Sequence, residues 1–233
     1  TMVGQADMMQ ARWGSHGDYE IIAIAPSSPQ EMFDFTIAAF NLSEKYRTPV
    51  ILLMDAMLGH MRERIELPAP EELEIWDRAP TEVPPEWYKA YENEPRDVPP
   101  LAPFGDGYRY HITGLFHDEH GYPTQRLDEI NPWQDRIYGK IERGLSEIID
   151  VEPDDELAQA EVVVLSYGAA ARSAQRAVRL AREQGLAGEL EQGGLHRVPR
   201  LVAGPVNPLE LMLDVEQPDT RCSSEHHDRH LND

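Results

Sequence analysis

Residues 5–20, QADMMQARWGSHGDYE, hold the densest set of side chains that could do chemistry: Gln5, Asp7, Gln10, Arg12, His16 and Asp18 stand among small residues and glycines. Glycine lets a backbone come close to a ligand or another chain. The stretch therefore reads either as a partner-facing or active-site surface, or as a folded connection whose polar groups are satisfied internally. Ser27 and Asp55 follow two apolar runs, IIAIA and VILLM. That puts them at the carboxyl ends of predicted strands, where α/β sheets place ligands, although Ser27 equally suits turn chemistry. SYGAAARSA (166–174) joins a strand to a helix start, which can hold an anion, but it lacks the spaced glycines of a dinucleotide fingerprint. His226, His227 and His230 of HHDRH admit a metal reading, against a solvated tail.

These residues need elements to hold them. IIAIA (21–25) is a short apolar run suited to a buried strand. Ser28 then caps a helix, with Pro29 at its first position and Glu31 where a capping box wants an acid. The helix is expected to run to about Tyr46, with Phe33, Ile37 and Phe40 as its inner face. VILLM (50–54) completes a strand–helix–strand unit, which implies a parallel pair. Nine of the 19 prolines fall between Pro68 and Pro103, so long elements are not expected there. With Trp76, Trp87, Tyr88 and Tyr91 inside it, this segment reads as a linker wrapped on a surface. Residues 104–124 read as ordered loop and 132–149 as a helix with Trp133, Ile137, Ile141, Leu145 and Ile148 in one stripe. AEVVVLSYG (160–168) and AARSAQRAVRLAREQG (170–185) form a second strand–helix pair, stopped at Gly185. Beyond it only RLVAG resembles a strand, and the tail reads as irregular.

Composition sets the limits. The 233 residues carry 42 acidic and 21 basic side chains, a net charge of −21. That argues against direct binding of nucleic acid or of an anionic membrane. Only Lys45, Lys89 and Lys140 are lysines, which fits either a GC-rich genome or a salt-adapted proteome. No apolar run approaches the roughly 18 residues of a membrane span, and no secretory signal is visible. The single Cys222 leaves no internal disulfide framework or cysteine-held cluster, so a reducing, cytoplasmic setting is expected.

Four blocks in register then carry a resemblance. QADMMQARWGSHGDYE, APSSPQEMFDFTIAAFNLSEKYRTPVILLMDAMLGHMRE, APFGDGYRYHITGLFHDEHGYP and AEVVVLSYGAAARSAQRAV resemble the alpha subunit of 2-oxoacid:ferredoxin oxidoreductases, the 2-oxoglutarate type most of all, over roughly residues 1–186. The resemblance implies an α/β chain: the C-terminal part of a thiamine-diphosphate pyrimidine-type domain (1–62), a Pro-rich wrapping linker with an ordered loop and one helix (63–154), and the start of a transketolase C-terminal-like domain (155–186), with 187–233 unassigned and irregular. It implies oxidative decarboxylation of a 2-oxoacid with coenzyme A, electrons passing to ferredoxin. Thiamine diphosphate and Mg2+ would sit at an interface with a beta subunit that also brings an iron–sulfur cluster. This chain by itself would hold none of them.

The same resemblance assigns candidate residues. Asp118, in the HDEHG loop (117–121), matches a mobile loop near the active-site entrance in relatives; it would gate access, pairing with a beta-subunit lysine, with His111 and His117 beside it. The alternative is a structural turn with exposed acids. Arg12, His16 and Asp18 would line the subunit interface near the cofactor, with Ser27 and Asp55 as cofactor-side or interface residues. Two departures stand out. The family's Tyr-Pro-Ile-Thr-Pro motif and catalytic glutamate precede the first residue here, and its Trp-Pro-Phe-Pro motif does not follow Gly185. The expectation is an N-terminally incomplete chain, catalytically silent even with a beta subunit, and a C-terminal segment arising from a frameshifted or spurious translation. The competing expectation is a non-catalytic α/β interaction module that keeps only the scaffold.

Overall fold

A computed structural model describes residues 4–15, 19–92, 97–149, 162–184, 193–197 and 200–203. The first unit is built around β1 (Ile21–Ile24), all four residues of which are buried. It pairs in parallel with β2 (Val50–Leu52), Ile22 opposite Val50 and Ile24 opposite Leu52, and Leu53 N extends the ladder to Ile24 O at 2.7 Å. Between them runs α2 (Pro29–Tyr46), with the start and end expected from sequence. Ser28 Oγ accepts from Glu31 N at 3.1 Å. Glu31 returns the favour one residue earlier than a standard capping box: its Oε2 accepts from Ser27 N and Ser27 Oγ at 2.8 and 3.0 Å.

The inner face of α2 is not the one expected. Phe35, Leu42 and Tyr46 are buried against Ile22 and Ile24, while Phe40 is 68% exposed. The helix carries two apolar stripes. The 35/39/42/46 stripe meets the sheet, and Ile37 and Phe40 turn to a groove bordered by Ile75 and Trp76 of the Pro-rich segment. Among its described residues that segment has only two short turns of 3-10 helix, Pro70–Glu72 and Pro85–Trp87. Amide side chains on α2 hold it. Gln30 exchanges two hydrogen bonds with the backbone of Glu66, and Asn41 accepts from Trp76 N and donates to Glu74 O. The two amides are about three helical turns apart, so they share one face. They satisfy backbone groups that the prolines leave without a ladder.

The helix expected over 132–149 begins earlier and breaks late: α4 (Leu127–Arg143) is followed by α5 (Leu145–Ile148), with Pro132 in the first two turns of α4. Pro132, the sixth residue of α4, forgoes the bond to the Asp128 carbonyl, yet the helix runs through it, so Pro132 does not set the boundary. Ile141 and Ile148 join the core cluster. Gly144 separates the two helices, and a Cβ there would overlap the ring and hydroxyl of Tyr46.

The second unit pairs β3 (Val162–Ser166) in parallel with β4 (Gly193–Arg197) across α6 (Ala169–Glu183). β5 (Arg200–Ala203) returns to β1 in the antiparallel sense, giving the sheet order β2–β1–β5. Two strands thus lie within the segment expected to be irregular. Gly185, Cys222 and the HHDRH tail lie outside the described residues. Among the described residues no helix is long and apolar enough to cross a membrane.

Two buried ionisable groups mark this core. Glu20 is 4% exposed, neither carboxylate oxygen has a hydrogen-bond partner, and burial lifts it to about pKa 7 against the pull of Arg12. Lys140 donates to Tyr46 O and Arg47 O at 2.6 and 3.1 Å, closing the end of α2. Burial, then Arg136 and Arg47, lower it to about 7. A neutral amine keeps two N–H donors, so losing the proton costs Lys140 neither bond. The linkage is opposite in sign for the two. Between about pH 4.5 and 7 the folded chain holds the Glu20 proton that the unfolded chain has released, so stability falls as pH rises. Between about pH 7 and 10.5 the unfolded chain holds the Lys140 proton that the folded chain has released, so stability rises. Urea unfolding across pH is expected to show a minimum near neutrality. Glu20→Gln should flatten the acid limb, worth about 3 kcal/mol, and Lys140→Met the alkaline limb while lowering stability throughout. A limb that persists in its variant refutes that assignment.

Candidate functional site

The carboxyl end of β2 opens on a cleft of about 250 Å³. Its floor is Ile51 to Met54, one wall is α1 (Asp7–Trp13) with Gln5 before it, and the far wall is Tyr167 and Gly168 at the start of α6. These walls are far apart in sequence and meet at one carboxylate. Asp55 Oδ2 accepts from Ala169 N at 2.6 Å and from Gln5 Nε2 at 3.3 Å. Gln5 Nε2 also donates to Tyr167 O at 2.8 Å, and Tyr167 Oη donates back to Gln5 O at 3.0 Å. The anion at the N-terminus of α6 is therefore Asp55 itself, placed where free N–H groups and the helix dipole favour negative charge.

Gly168 makes this approach possible. Its φ is +61°, and an added Cβ would lie 2.5 Å from Asp55 Oδ2 and 2.7 Å from Gln5 Nε2. Gly168→Ala is expected to cost at least about 2 kcal/mol through backbone strain and displacement of Asp55. It should also speed hydrogen exchange at Ala169 N. Unchanged melting and exchange would show that the clasp is dispensable.

The expected site residues separate into groups. Asp55 lies on the cleft with Gln5, Asp7 and Gln10. Ser27 is 1% exposed, and its backbone N–H and hydroxyl both go to Glu31. Arg12 is on α1 but off the cleft wall, 5.8 Å from the Trp13 ring. His16 and Asp18 lie outside the described residues. Asp118 stands in a different hollow, of about 260 Å³, that shares no lining residue with the cleft. There Asp118 Oδ1 accepts from His120 N and Tyr122 N, both at 2.9 Å, and shapes a tight turn in which Gly121 has φ +94°. His117 is 3% exposed, stacked on Tyr91 at 4.5 Å and bonded to Thr113 Oγ1; burial lowers its pKa and favours the neutral ring. His111, its neighbour in the sequence reading, accepts from Tyr91 Oη through its carbonyl.

Sequence reasoning did not single out Tyr167, Gly168 or Glu20. For Gly168 a signal existed, a glycine between a strand and an Ala-rich helix; for Glu20 there was none, since its burial depends on tertiary packing. Among the described residues no three or more of His, Cys, Asp and Glu gather as a metal site. The described cleft lining holds two carboxylates, Asp7 and Asp55, and no cation.

Comparison with known proteins follows this geometry. Residues 1–132 match the family described as pyruvate flavodoxin/ferredoxin oxidoreductase, thiamine diphosphate-binding. The chain is 50% identical over 192 residues to 2-oxoglutarate synthase subunit KorA of Methanothermobacter thermautotrophicus, covering 80% of this chain and 49% of that protein. It is 48% identical over 186 residues to the subunit of the same name from Methanocaldococcus jannaschii, with the same coverage. The chain thus spans about half the length of the curated relatives it matches. Its fold is similar to that of the 2-oxoglutarate:ferredoxin oxidoreductase from Magnetococcus marinus, solved with 2-oxoglutarate, coenzyme A and succinyl-CoA bound; the TM-score is 0.72 at 24% identity, over 91% of this chain and 36% of that one. With a family match across more than half its residues and near-half identity to several alpha-type subunits, this chain belongs to the thiamine-diphosphate-binding 2-oxoacid:ferredoxin oxidoreductase family.

Proposed function

We propose that this chain is part of the alpha subunit of an enzyme that oxidatively decarboxylates a 2-oxoacid, 2-oxoglutarate first, to an acyl-CoA and passes the electrons to ferredoxin. The observation that carries this reading is the near-half identity to 2-oxoglutarate synthase subunits across 80% of the chain. The partners are a beta subunit and, through the complex, ferredoxin, in the cytoplasm. The β3–α6–β4 unit is the beginning of a transketolase C-terminal-like domain.

The cleft fits one end of the cofactor. Its aliphatic floor and acceptor-rich rim of Gln5, Asp7, Gln10 and Asp55 suit a cationic or N–H-bearing heteroaromatic ring. They do not suit a diphosphate, which needs cations that the described lining lacks. The diphosphate with its Mg2+ is therefore assigned to the companion subunit, and the family resemblance assigns the iron–sulfur cluster to the same partner. When bound, thiamine diphosphate supplies the ylid that accepts the carbanion left by decarboxylation. What this chain does is narrower. Asp55 spends one oxygen fixing α6, and the apolar floor excludes water from one side of the ring.

Asp118 is proposed to gate access. Its Oδ1 is taken by the loop amides, and Oδ2 has no hydrogen-bond donor among the described residues, which leaves it for a cation of the companion subunit.

The 233 residues alone, or simply mixed with the companion subunit, are expected to turn over no 2-oxoacid. Within a subunit of the relatives' full length, and paired with that companion, they should support CoA-dependent reduction of ferredoxin, fastest with 2-oxoglutarate. Turnover by the isolated chain, or a tenfold preference for pyruvate or a branched 2-oxoacid, would overturn the reading. In the same complex Asp118→Asn, which keeps an acceptor for both loop amides, should lower kcat/KM about tenfold without altering amide exchange at His120 and Tyr122. An unchanged kcat/KM would leave Asp118 as turn chemistry.

A further inference from the structure

Charge pairs are placed unevenly in this chain. Six lysines and arginines, Lys45 and Lys89 among them, lie within 2.8 Å of a carboxylate. Arg47, Arg136 and Lys140 have no ion pair among the described residues, in a chain with 42 acidic and 21 basic side chains. These three gather where the end of α2 meets α4, and they hold carbonyls instead. Lys140 takes those of Tyr46 and Arg47, Arg47 those of Ala90 and Pro99, and Arg136 that of Glu92. Arg136 and Lys140 are four apart on α4 and share one face, where like charges repel.

One donor edge of this cluster is unspent. Arg136 Nη1 donates to Glu92 O at 3.1 Å, but Arg136 Nε is buried with no hydrogen-bond partner among the described residues. The Nε/Nη2 edge is the fork with which Arg78 takes Glu44 and Arg126 takes Asp128. A buried donor without an acceptor costs free energy, and a guanidinium fork matches an anion with two oxygens. Lys140 stands one turn along the same face. With its proton lost near neutrality its amine offers a lone pair, while both N–H groups stay on their carbonyls. Lys45 and Lys89 are instead ion-paired with Glu147 and Glu119.

We propose that Lys140 is a carbamylation site: carbon dioxide adds to its side-chain amine, and the carbamate formed lies on the Arg136 fork. The Nζ lone pair bonds to the carbon of carbon dioxide, one C=O bond opens to C–O⁻, and one amine proton leaves to solvent. No oxidant or reductant is needed. The carbamate keeps one N–H for Tyr46 O, the nearer carbonyl at 2.6 Å, and gives up the 3.1 Å bond to Arg47 O. Charge-assisted bonds from Arg136 Nε and Nη2 to its two oxygens offset that loss. Carbon dioxide is small and uncharged, so it reaches a half-buried amine that a larger anion would not. The new negative charge sits between two arginines that hold Ala90, Glu92 and Pro99, and so it ties the Pro-rich segment more firmly to α2 and α4. Dissolved carbon dioxide suffices, so the inference stands apart from the functional reading above.

Isotope trapping tests this. The 233-residue chain is equilibrated with carbon-13 bicarbonate at mildly alkaline pH, and carbamates are fixed by alkylation with triethyloxonium. Mass spectrometry of its peptides is expected to find label at Lys140 and not at Lys45 or Lys89. Bicarbonate should also raise the melting temperature more than chloride at equal ionic strength. Arg136→Met keeps the amine and removes the fork, and should cut the label about fivefold. Lys140→Arg should abolish both the label and the bicarbonate-specific stabilisation. Circular dichroism checks that each variant is folded, and the comparison of three lysines within the original chain decides the matter if either is not. No label at Lys140, or equal label on all three lysines, would overturn the proposal. So would bicarbonate-specific stabilisation that survives in Lys140→Arg, the mark of a free anion on the fork, or full labelling in Arg136→Met.

Discussion

The bond from Ala169 N to the Asp55 carboxylate joins elements 114 residues apart at one edge of the cleft. It joins the carboxyl end of β2 to the N-terminus of α6, where a helix carries unsatisfied N–H groups and partial positive charge. A charge-assisted bond in this setting contributes on the order of 1–3 kcal/mol, a large share of a typical domain's stability. Gln5 and Tyr167 brace the same junction with a reciprocal pair of hydrogen bonds. Two strand–helix units that could each fold with a different relative tilt are thereby fixed at one. The cost is paid in backbone freedom at residue 168, where only glycine fits the gap and the positive φ.

The Pro-rich segment obeys a different constraint. The 36 residues from Pro68 to Pro103, with no ladder among the described ones, must still find partners for their backbone groups. The chain solves this with side chains. Gln30 and Asn41 offer α2 amides as short imitations of a strand edge, and Tyr88 and Tyr110 close hydroxyl bonds onto Pro100 and Ala102 carbonyls. Arg47, held at φ +45° as the C-cap of α2, reaches the carbonyls of Ala90 and Pro99. A segment that reads as structureless by periodicity is thus ordered by being wrapped on a helix whose outer face carries the right polar groups.

The legibility of the sequence follows from the range of the interactions. Ser28, Pro29 and Glu31 act over a single turn, and they placed the start of α2 correctly before any tertiary contact was known. IIAIA and VILLM are apolar on both faces, and the parallel pair they imply is present. The choice between two apolar stripes on α2 was not legible. Phe33, Ile37 and Phe40 have the same helical spacing as Phe35, Ala39 and Leu42, and their own pattern does not decide which set meets the sheet. The pairing of RLVA with β1 and the meeting of Asp55 with Gly168 were hidden for the same reason, since both depend on where a distant segment returns. The resemblance supplied the family because it compares whole blocks in order. It did not supply the role of Asp55, which is set by a contact between blocks.

Cleft chemistry explains why one wall is not enough. Under the proposed function the complete site would stabilise a carbanion and handle a carboxylate, a diphosphate and coenzyme A, which calls for cations close at hand. The described lining brings two carboxylates and amide oxygens instead. Moving cations to this wall would place them against the N-terminus of α6, where like polarity would repel and where Asp55 is required for the fold. The same carboxylate that assembles the junction therefore sets the sign of the described wall. Under the proposed function, division of the site between chains would follow from how the first and second units are locked together, with the acidic character of the cleft as part of that lock.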